Sequence, residues 1–480
     1  MTYLSVILVY LFALIAIGIV KSRKIHTQSD FALAGRALTP WVLVGTMLAS
    51  WIGTGSILGN AGKTYETGMA ALMLPIGSIL GIILLTRIAG KVRSYEKYTV
   101  PEIIGDRYGP VARNLSVFAL VMAYMVIVSY QYNAGGAVLY TILADNTGTS
   151  IISIELATII AAVFIIAYTM LAGLLSVAYT DAANSIIMTL ALIISLPILW
   201  IKAGSWSGME TAFAAMNKSQ HMQFGGVYSA MDIINFCLPP FLLVIGDANM
   251  YQRFSASKDV QSARYSTTIL VFAVLFIELL IIVSAWVSSS MIPEAEVGKH
   301  VLIYAAHQFL PTFLGAIMLT TIVGIIISTA DSFLLVPANT LIRDIYLNYI
   351  NPQASEKNIV RLSRLLVLLL GIIAYIVSIG FSRSAGFFER ALYAYTIYGA
   401  AITPALVAAL FWRGATKEGA VASIICGTLV TLFWKELPGL WFWLPTEWYI
   451  SLDEVLPAIS GSLLALICVS YLTQKADPGK

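Results

Sequence analysis

The chain has 480 residues, of which 59% are hydrophobic and only 11% are charged, with a net charge of +3. A soluble domain usually carries about 25% charged residues, so this chain lacks the polar side chains that a soluble multidomain enzyme needs on its surface. The small, scattered positive charge also argues against a nucleic-acid partner. The three cysteines lie far apart in apolar runs, and the four histidines show no metal-ligand spacing, so neither a disulfide framework nor a zinc site is predicted.

About thirteen apolar stretches are long enough to cross a bilayer, which requires about 20 mostly apolar residues per helix. In chain order they are 3–20, 40–61, 68–90, 114–142, 150–173, 176–202, 229–251, 266–292, 301–342, 362–382, 388–411, 417–436 and 455–473. The first is predicted to be a retained helix rather than a signal peptide, because it has neither a basic leading segment nor a small-residue cleavage site. The ninth is predicted to hold a short surface helix and then a span from about Pro311. The chain is therefore predicted to be an all-α polytopic protein of the cell membrane, most simply a bacterial inner membrane.

The lysines and arginines between these stretches predict the orientation of the helices. Most of the 28 basic residues fall in alternate loops, including those that contain Arg36, Arg93, Arg253 and Lys357. Cytoplasmic loops are enriched in positive residues, and the alternation holds only when about thirteen spans are counted. The N-terminus is therefore predicted to lie outside and the C-terminus inside.

Two of the predicted spans contain residues that weaken a helix at mid-membrane depth. The second span has Gly53 and Gly55 among small hydroxyl residues, and the seventh has Pro239, Pro240 and Gly246. In hydrocarbon, a helix is interrupted only where the break lines a cavity. A proline kink or close glycine packing explains either region on its own. Because each region opens one of two consecutive sets of five spans that run in opposite directions, the pair points to the central site of an inverted-repeat transporter.

Carboxylates at membrane depth are costly and therefore mark candidate functional positions. Asp232 is expected near the outer surface. Glu278 has no polar neighbour within a helical turn, which leaves open a proton site or a buried partner for a distant donor. Asp247 either caps the backbone beyond the second break or contacts the solute. Asp181 either caps the start of the sixth span or supplies a second carboxylate near the ninth span, where Asp331 lies.

The ninth span carries a ladder of hard oxygen donors. Ser328, Asp331 and Ser332 share one face of a helix, at spacings of three and four residues, and Thr329 lies beside them. Hard cations such as Na⁺ prefer oxygen ligands, and unwound backbone carbonyls can complete the set. The alternative is that the hydroxyls bond back to carbonyls of their own helix and only bend it. The carboxylate next to the hydroxyls favours an ion site.

Five segments, in the same order along the chain, resemble the sodium/solute symporter family. They are 31–36 (FALAGR), 173–181 (GLLSVAYTD), 251–259 (YQRFSASKD), 327–335 (ISTADSFLL) with 342–346 (IRDIY), and Pro404 with 411–413 (FWR) and Gly419-Ala420. Each segment is weak alone, but together they cover nearly the whole chain.

The resemblance implies the leucine-transporter type of fold, a five-plus-five inverted repeat with one helix before it and two after. On this basis residues 1–36 form the first helix and an inner loop, and residues 37–203 form the first repeat. Residues 204–412 form the second repeat, and residues 413–480 form two C-terminal helices and a tail.

The resemblance also implies sites. The family pattern gives the main sodium ion the backbone carbonyls of Ala49, Ile52 and Ile325 and the hydroxyls of Ser328 and Thr329. A second sodium ion, found in some members, would use Asp181, Asp331 and Ser332, although one serine of the family pattern is a carboxylate here. The solute would lie near Trp51, Ser56 and Ser78, with Asp247 as a further candidate. The family's sugar-binding members have a glutamine and a glutamate at the positions of Ser56 and Pro75, so a sugar is disfavoured.

The function implied is Na⁺-coupled symport of a small organic solute by alternating access, with Na⁺ as the coupling ion and no organic cofactor. Amino acids, organic acids, vitamins and nucleobases all remain candidate solutes. An alternative within the same fold is a membrane receptor that senses solute without net transport. An enzyme is not predicted, because no catalytic set of residues lies at membrane depth.

Overall fold

The computed structural model describes residues 2–22, 25–144, 150–294, 298, 300–381, 386–434, 449 and 451–474. Helices and turns make up these residues, and the extended pairings among them are two isolated bridges, Leu38 with Ser257 and Ala144 with Ser150. The all-α class predicted from the sequence is confirmed for this part of the chain.

The first half of the described chain contains helices α1 to α9. Their bounds are Thr2–Ser22 (α1), Gln28–Leu33 (α2), Pro40–Trp51 (α3), Gly55–Met73 (α4), Ile76–Ser94 (α5), Val100–Tyr108 (α6), Pro110–Ile142 (α7), Ile154–Lys202 (α8) and Ser205–Ala215 (α9).

The second half contains helices α10 to α19. Their bounds are Ala230–Gly246 (α10), Ala248–Ala256 (α11), Val260–Ser289 (α12), Val301–Gln308 (α13), Thr312–Ile350 (α14), Glu356–Phe381 (α15), Phe387–Ala401 (α16), Thr403–Phe411 (α17), Lys417–Phe433 (α18) and Val455–Gln474 (α19). The short helix α13 ahead of α14, with Pro311 as the N-cap of α14, matches the prediction for the ninth stretch.

Eight helices in the described chain are long and apolar enough to cross a membrane, and the bent pair α3 and α4 adds a ninth. A count of thirteen also requires α1, α5 and α18 to cross and α8 to count twice, so that number stays a prediction. The case of α8 has a visible cause, since Gly173 interrupts its 49 residues with φ +57° and ψ 170°. A Cβ atom there would also lie 2.8 Å from Ile25 Cδ1, so only glycine suits this kink.

The break predicted in the second span is confirmed. Helix α3 ends at Trp51, Ile52 has non-helical angles (φ −75°, ψ 87°), and α4 begins at Gly55 with its axis turned by 52°. Gly53 and Gly55 lie at this break. Glycine has a low helix propensity, so neither residue favours continuation of the helix.

The break in the seventh span lies elsewhere than the prolines suggest. Pro239 and Pro240 sit inside the continuous helix α10, so the prediction that they interrupt the span was wrong. The interruption is at Asp247 (φ −58°, ψ 112°), between Gly246 and Ala248, where the aspartate side chain starts the next helix as its N-cap. An interior proline removes one N–H bond and disfavours the helix, but α10 continues through both prolines, whereas the Asp247 cap begins a new helix.

The degree of burial separates central from peripheral helices. In α14, 72% of the 18-residue apolar stretch is buried within the protein, and in the pair α16 and α17 the buried share of that stretch is 78%. In α15 and α19 the share is 33%, and large apolar side chains such as Ile376 and Leu464 point outward. Since an apolar outer face suits a lipid environment, α15 and α19 lie at the periphery, and α14 runs through the centre beside α3 and α8.

The orientation across the membrane is open to a direct test. Gln223, in the segment after α9, is exposed and predicted to lie outside, and Gln353, between α14 and α15, is exposed and predicted to lie inside. A membrane-impermeant maleimide should label Gln223→Cys but not Gln353→Cys in intact cells, and both after permeabilisation. The parent chain, with its own three cysteines, is the control for background labelling. The opposite pattern would reverse the orientation.

Candidate functional site

The broken helix and α14 meet at Gly53 and Thr329. A Cβ atom on Gly53 would lie 3.0 Å from both Oγ1 and Cγ2 of Thr329, so any side chain there would require the Thr329 side chain to shift by a few tenths of an ångström. The Thr329 hydroxyl donates to the Ala49 carbonyl over 3.4 Å. The Gly53 N–H, which would bond that carbonyl in a regular helix, instead donates to the Trp51 carbonyl over 2.9 Å. The break therefore leaves a backbone oxygen facing a threonine hydroxyl of another helix.

Ser328 adds a second hydroxyl to this junction. Its Oγ donates to Asp181 Oδ1 over 2.5 Å, which leaves the lone pairs of the serine oxygen free to bind a cation. A carboxylate that orients a ligand in this way resembles the outer-shell partners of other metal sites. Ile325 lies one turn before Thr329 on α14 and is buried. The structure thus brings Ala49 and Thr329 together, with Ser328 next to Thr329, whereas the sodium site that also includes Ile52 and Ile325 stays a prediction.

The hydroxyls of this junction bond to other helices and not to their own. Thr320 and Thr321, earlier on α14, donate to the carbonyls four residues before them, over 2.7 Å and 2.9 Å. Ser328, Thr329 and Ser332 instead bond to groups on α8, α3 and α11. The alternative that these three hydroxyls only bend their own helix was therefore wrong.

A buried arginine organises the polar groups next to the junction. Arg253, on α11, is 0% exposed, and its Nη2 lies 3.5 Å from Asp181 Oδ2. The same guanidinium donates to Ser332 Oγ over 2.7 Å, to Thr46 Oγ1 over 3.1 Å and to the Asn249 carbonyl over 3.3 Å. Thr46 in turn donates to Asp181 Oδ2 over 2.6 Å. One guanidinium therefore connects α3, α8, α11 and α14.

Two sequence interpretations are corrected by this network. Arg253 was counted among the basic residues of an inner loop, but it lies within α11 and is fully buried. Asp181 is not the cap of a helix start, because it lies inside α8, eight residues beyond the kink at Gly173. The place of Arg253 in segment 251–259, which resembles the family, could have indicated a role within the fold. The count of basic residues per loop assigned it to a loop instead.

Of the residues suggested for a second sodium ion, Asp181 and Ser332 both contact Arg253 Nη2, whereas Asp331 has a different partner. Ser328 bonds to Asp181 and Ser332 to Arg253, whereas the Asp331 carboxylate accepts a hydrogen bond from Thr169 on α8. Helical spacing predicted Ser328, Asp331 and Ser332 on one face of the helix. In the structure each of the three side chains bonds to a different residue. A second ion at Asp181, Asp331 and Ser332 stays a prediction.

A cavity lies on the other side of the broken helix. Its empty space is about 430 Å³, open solvent included. The lining includes the residues predicted to bind solute, Trp51, Ser56 and Ser78, and other side chains from both halves of the chain: Asn60, Leu74, Pro75, Phe236, Pro240, Glu278, Phe388, Ala391, Leu392 and Tyr395. The Trp51 and Tyr395 rings stack with centroids 6.3 Å apart. The cavity is thus largely apolar, with a few polar groups, as small-molecule sites usually are.

Glu278 and Asp247, the two carboxylates with open roles, have different surroundings. Glu278 lines the cavity, where Ser56 Oγ and Asn60 Nδ2 donate to its two oxygens over 2.6 Å and 3.0 Å. These are the distant donors that the sequence left open. Asp247 lies outside the lining of this cavity, caps α11 by accepting from the Asn249 N–H, and accepts from the Tyr124 hydroxyl over 2.5 Å. Its capping role is therefore observed, and contact with solute stays a prediction.

The fold and the site define a helical membrane transporter whose ion junction and cavity share one interrupted helix. Residues 31–427 match the sodium:solute symporter family. The chain belongs to this family, so the resemblance found in the five segments is confirmed. It is a multi-pass protein of the cell membrane, and its function is Na⁺-coupled symport of a small organic solute. Members of the family are transporters and not enzymes, and the receptor alternative receives no support.

Individual relatives and solved structures extend this result along the whole chain. The sodium/proline symporter of Haemophilus influenzae is 26% identical over 98% of this chain and 94% of its own length. That of Escherichia coli is 24% identical over 97% and 92%. A Na⁺-coupled sialic acid symporter in a substrate-bound outward-open state superposes with a TM-score of 0.81 at 15% identity, over 98% of both chains. Mhp1, a nucleobase-cation-symport-1 family transporter in a closed conformation, gives 0.58 at 11% identity, over 93% and 95%.

The Arg253 network predicts a measurable coupling in stability. Arg253→Met or Asp181→Asn alone should reduce the free energy of unfolding by about 3–5 kcal/mol, because each leaves a buried group without its partner. The double variant should lose less than the sum of the two. Equilibrium unfolding of the purified protein in detergent measures all three variants.

The matched control for this cycle is Lys258→Met, which removes an exposed cation from the turn after α11. We expect it to change stability by less than about 0.5 kcal/mol. Strict additivity of the two core variants would contradict a direct interaction between Arg253 and Asp181.

Proposed function

We propose that this chain transports an amino acid together with Na⁺, with L-proline as the first candidate. The observation that carries the proposal is that residues on either side of a single break, at Ile52, contribute to both sites. The Ala49 carbonyl before the break accepts from the Thr329 hydroxyl of α14, and the side chains of Trp51 and Ser56 line the cavity. The amino-acid class is supported by the sodium/proline symporters that align with 97% or more of this chain.

Sharing one break links the two binding events. A cation held between the Ala49 carbonyl, Ser328 and Thr329 would fix the conformation of residues 51–56, and solute would then enter a cavity whose wall is already ordered. Such coupling is reciprocal, so solute would raise the affinity for Na⁺ by the same factor. A solute bound in this cavity also contacts α12 and α16, which brings helices of both halves into the same event.

The driving force is sufficient for concentrative uptake. One Na⁺ that enters down a potential of about 100 mV releases about 2.3 kcal/mol. A tenfold concentration ratio adds about 1.4 kcal/mol. Together they support accumulation of a solute without net charge, such as a zwitterionic amino acid, by roughly several hundredfold.

The Arg253 network favours one coupling ion over two. The guanidinium already provides a positive charge to Asp181 and Ser332, which are two of the three groups suggested for a second ion. A second Na⁺ would have to displace this charge or be repelled by it. We therefore propose a main site of Ala49, Ile52, Ile325, Ser328 and Thr329, and a stoichiometry of one Na⁺ per solute.

The halves 37–203 and 204–412 are proposed as the inverted repeats. The first boundary falls in the turn between α8 and α9, and the second falls just after α17 ends at Phe411. The two interruptions support this division, because Ile52 and Asp247 each lie within the first long helical segment of their half.

The ion site is tested by Ser328→Ala and Thr329→Ala. Each variant removes one oxygen ligand, so the Na⁺ concentration for half-maximal uptake should rise about tenfold or more, which corresponds to about 1.4 kcal/mol or more. Uptake of radiolabelled proline into proteoliposomes at a series of Na⁺ concentrations measures the effect. Thr320→Ala is the matched control, because it deletes a buried hydroxyl of the same helix that bonds only to its own backbone. An equal shift in the control, or no shift in either site variant, would contradict the assignment.

The solute class is tested with the purified protein in proteoliposomes that have an inward Na⁺ gradient. We expect uptake of at least one amino acid from a panel led by proline, with uptake abolished when K⁺ replaces Na⁺. Because net positive charge enters with each zwitterion, an inside-negative potential should accelerate uptake. Uptake of organic acids or nucleobases but of no amino acid would contradict the proposed class.

A further inference from the structure

Glu278 is the one carboxylate in the cavity lining, and the ion junction does not use it. Its side chain is 2% exposed, and its two oxygens accept from Ser56 and Asn60. Both donors are neutral, and within the described part of the chain Glu278 forms no ion pair. The charge of this carboxylate is therefore not matched by any described side chain.

Asp181, another buried carboxylate near the broken helix, has different partners. Asp181 accepts from Ser328 and Thr46 and is also paired with the Arg253 guanidinium. A buried charge is costly unless an opposite charge accompanies it, and Asp181 meets that requirement within the protein. Glu278 has the hydrogen bonds without the cation. An ionised carboxylate has about four acceptor positions, so two remain for a further donor.

The rest of the cavity suits a cation with an apolar body. The Trp51, Tyr395, Phe236 and Phe388 rings line the same space as Glu278. Aromatic faces attract cations and also pack against apolar groups. Ser56 contributes one hydroxyl to the cavity wall, and Pro75 contributes one apolar ring. The Glu278 carboxylate is the only charged group in the described lining.

We propose that Glu278 binds the protonated amino group of the transported solute, and that it thereby restricts this cavity to solutes with a primary or secondary ammonium group. The N–H donors of that group take the two free acceptor positions of the carboxylate. This inference rests on the proposed function, because it requires the solute to occupy this cavity. It extends that function by naming the chemical feature that a solute must carry and the residue that recognises it.

The test compares amino acids with partners that lack only the amino group. Proline is paired with cyclopentanecarboxylate, alanine with propionate, and leucine with 4-methylpentanoate, each as isotope uptake and as a competitor in proteoliposomes of the full chain. The wild-type protein should transport or bind only amine-bearing members. In Glu278→Gln, which keeps the size of the side chain but removes its charge, the KM for the transported amino acid should rise about 10- to 100-fold, the usual effect of losing a hydrogen bond to a charged group. Glu278→Asp should retain part of the affinity.

Two controls separate recognition from folding. Stabilisation of the detergent-solubilised protein by Na⁺ alone should be unchanged in Glu278→Gln, because the carboxylate lies outside the ion junction. Glu66→Gln, which removes an exposed carboxylate paired with Lys63 on the same broken helix, should leave the KM unchanged. The comparison of amines with deamino partners uses the wild-type chain and so does not depend on any variant folding.

The outcomes distinguish this inference from the proposed function. Equal transport of a deamino partner, or an unchanged KM in Glu278→Gln, would overturn the inference and leave Na⁺-coupled transport intact. Loss of a pH dependence in that variant at constant KM would make Glu278 a proton carrier and would also overturn it. Absence of Na⁺-dependent uptake of every panel member by the wild-type protein would overturn the proposed amino-acid class, and the inference with it.

Discussion

The structure depends on one constraint, the need of every backbone polar group in hydrocarbon to find a partner within the protein. At Ile52 the second span gives up regular helical bonding, and the groups released there need partners from elsewhere. Thr329 on α14 supplies one, and the absence of a side chain on Gly53 allows it to come close enough. Among the membrane-length helices of the described chain, α14 and the pair α16 and α17 have the largest buried shares, and both pack against the broken helix. An interrupted helix at this depth is stable only because α14 is held against it.

A second constraint is the burial of charge. Arg253 and Asp181 would each be costly alone, and together with Thr46 and Ser332 they form a set in which the described charges and hydroxyls are matched. This set joins four helices next to the break. A pair of this kind specifies one arrangement of helices more strongly than apolar packing does, because few other arrangements satisfy both charges. It also orients the carboxylate that holds Ser328, so the ion junction inherits its geometry from the network behind it.

The two faces of the break explain how a transporter of this family can bind two unlike partners at once. One face offers backbone and hydroxyl oxygen atoms, which suit a small hard cation. The other offers aromatic rings, a hydroxyl and one carboxylate, which suits an organic molecule. Residues 51–56 belong to both faces, so a conformational change of these residues at one face also changes the other face. Coupling then needs no long pathway through the protein, because the two sites share backbone.

The sequence alone predicted the apolar spans, the interruption at Gly53 and the hydroxyls of the ninth span, because composition, glycine placement and helical spacing are local properties. The resemblance to the family added three of the residues that line the cavity. It did not determine which groups face each other. Ser328 bonds to a residue 147 positions away, and Glu278 bonds to one 222 positions away. Helical periodicity shows which residues share a face but not what packs against that face. For the same reason Arg253 was assigned to a loop and Pro239 to a break. Only the tertiary structure decided these roles, because it places Arg253 beside Asp181 and shows Asp247 as the N-cap of α11.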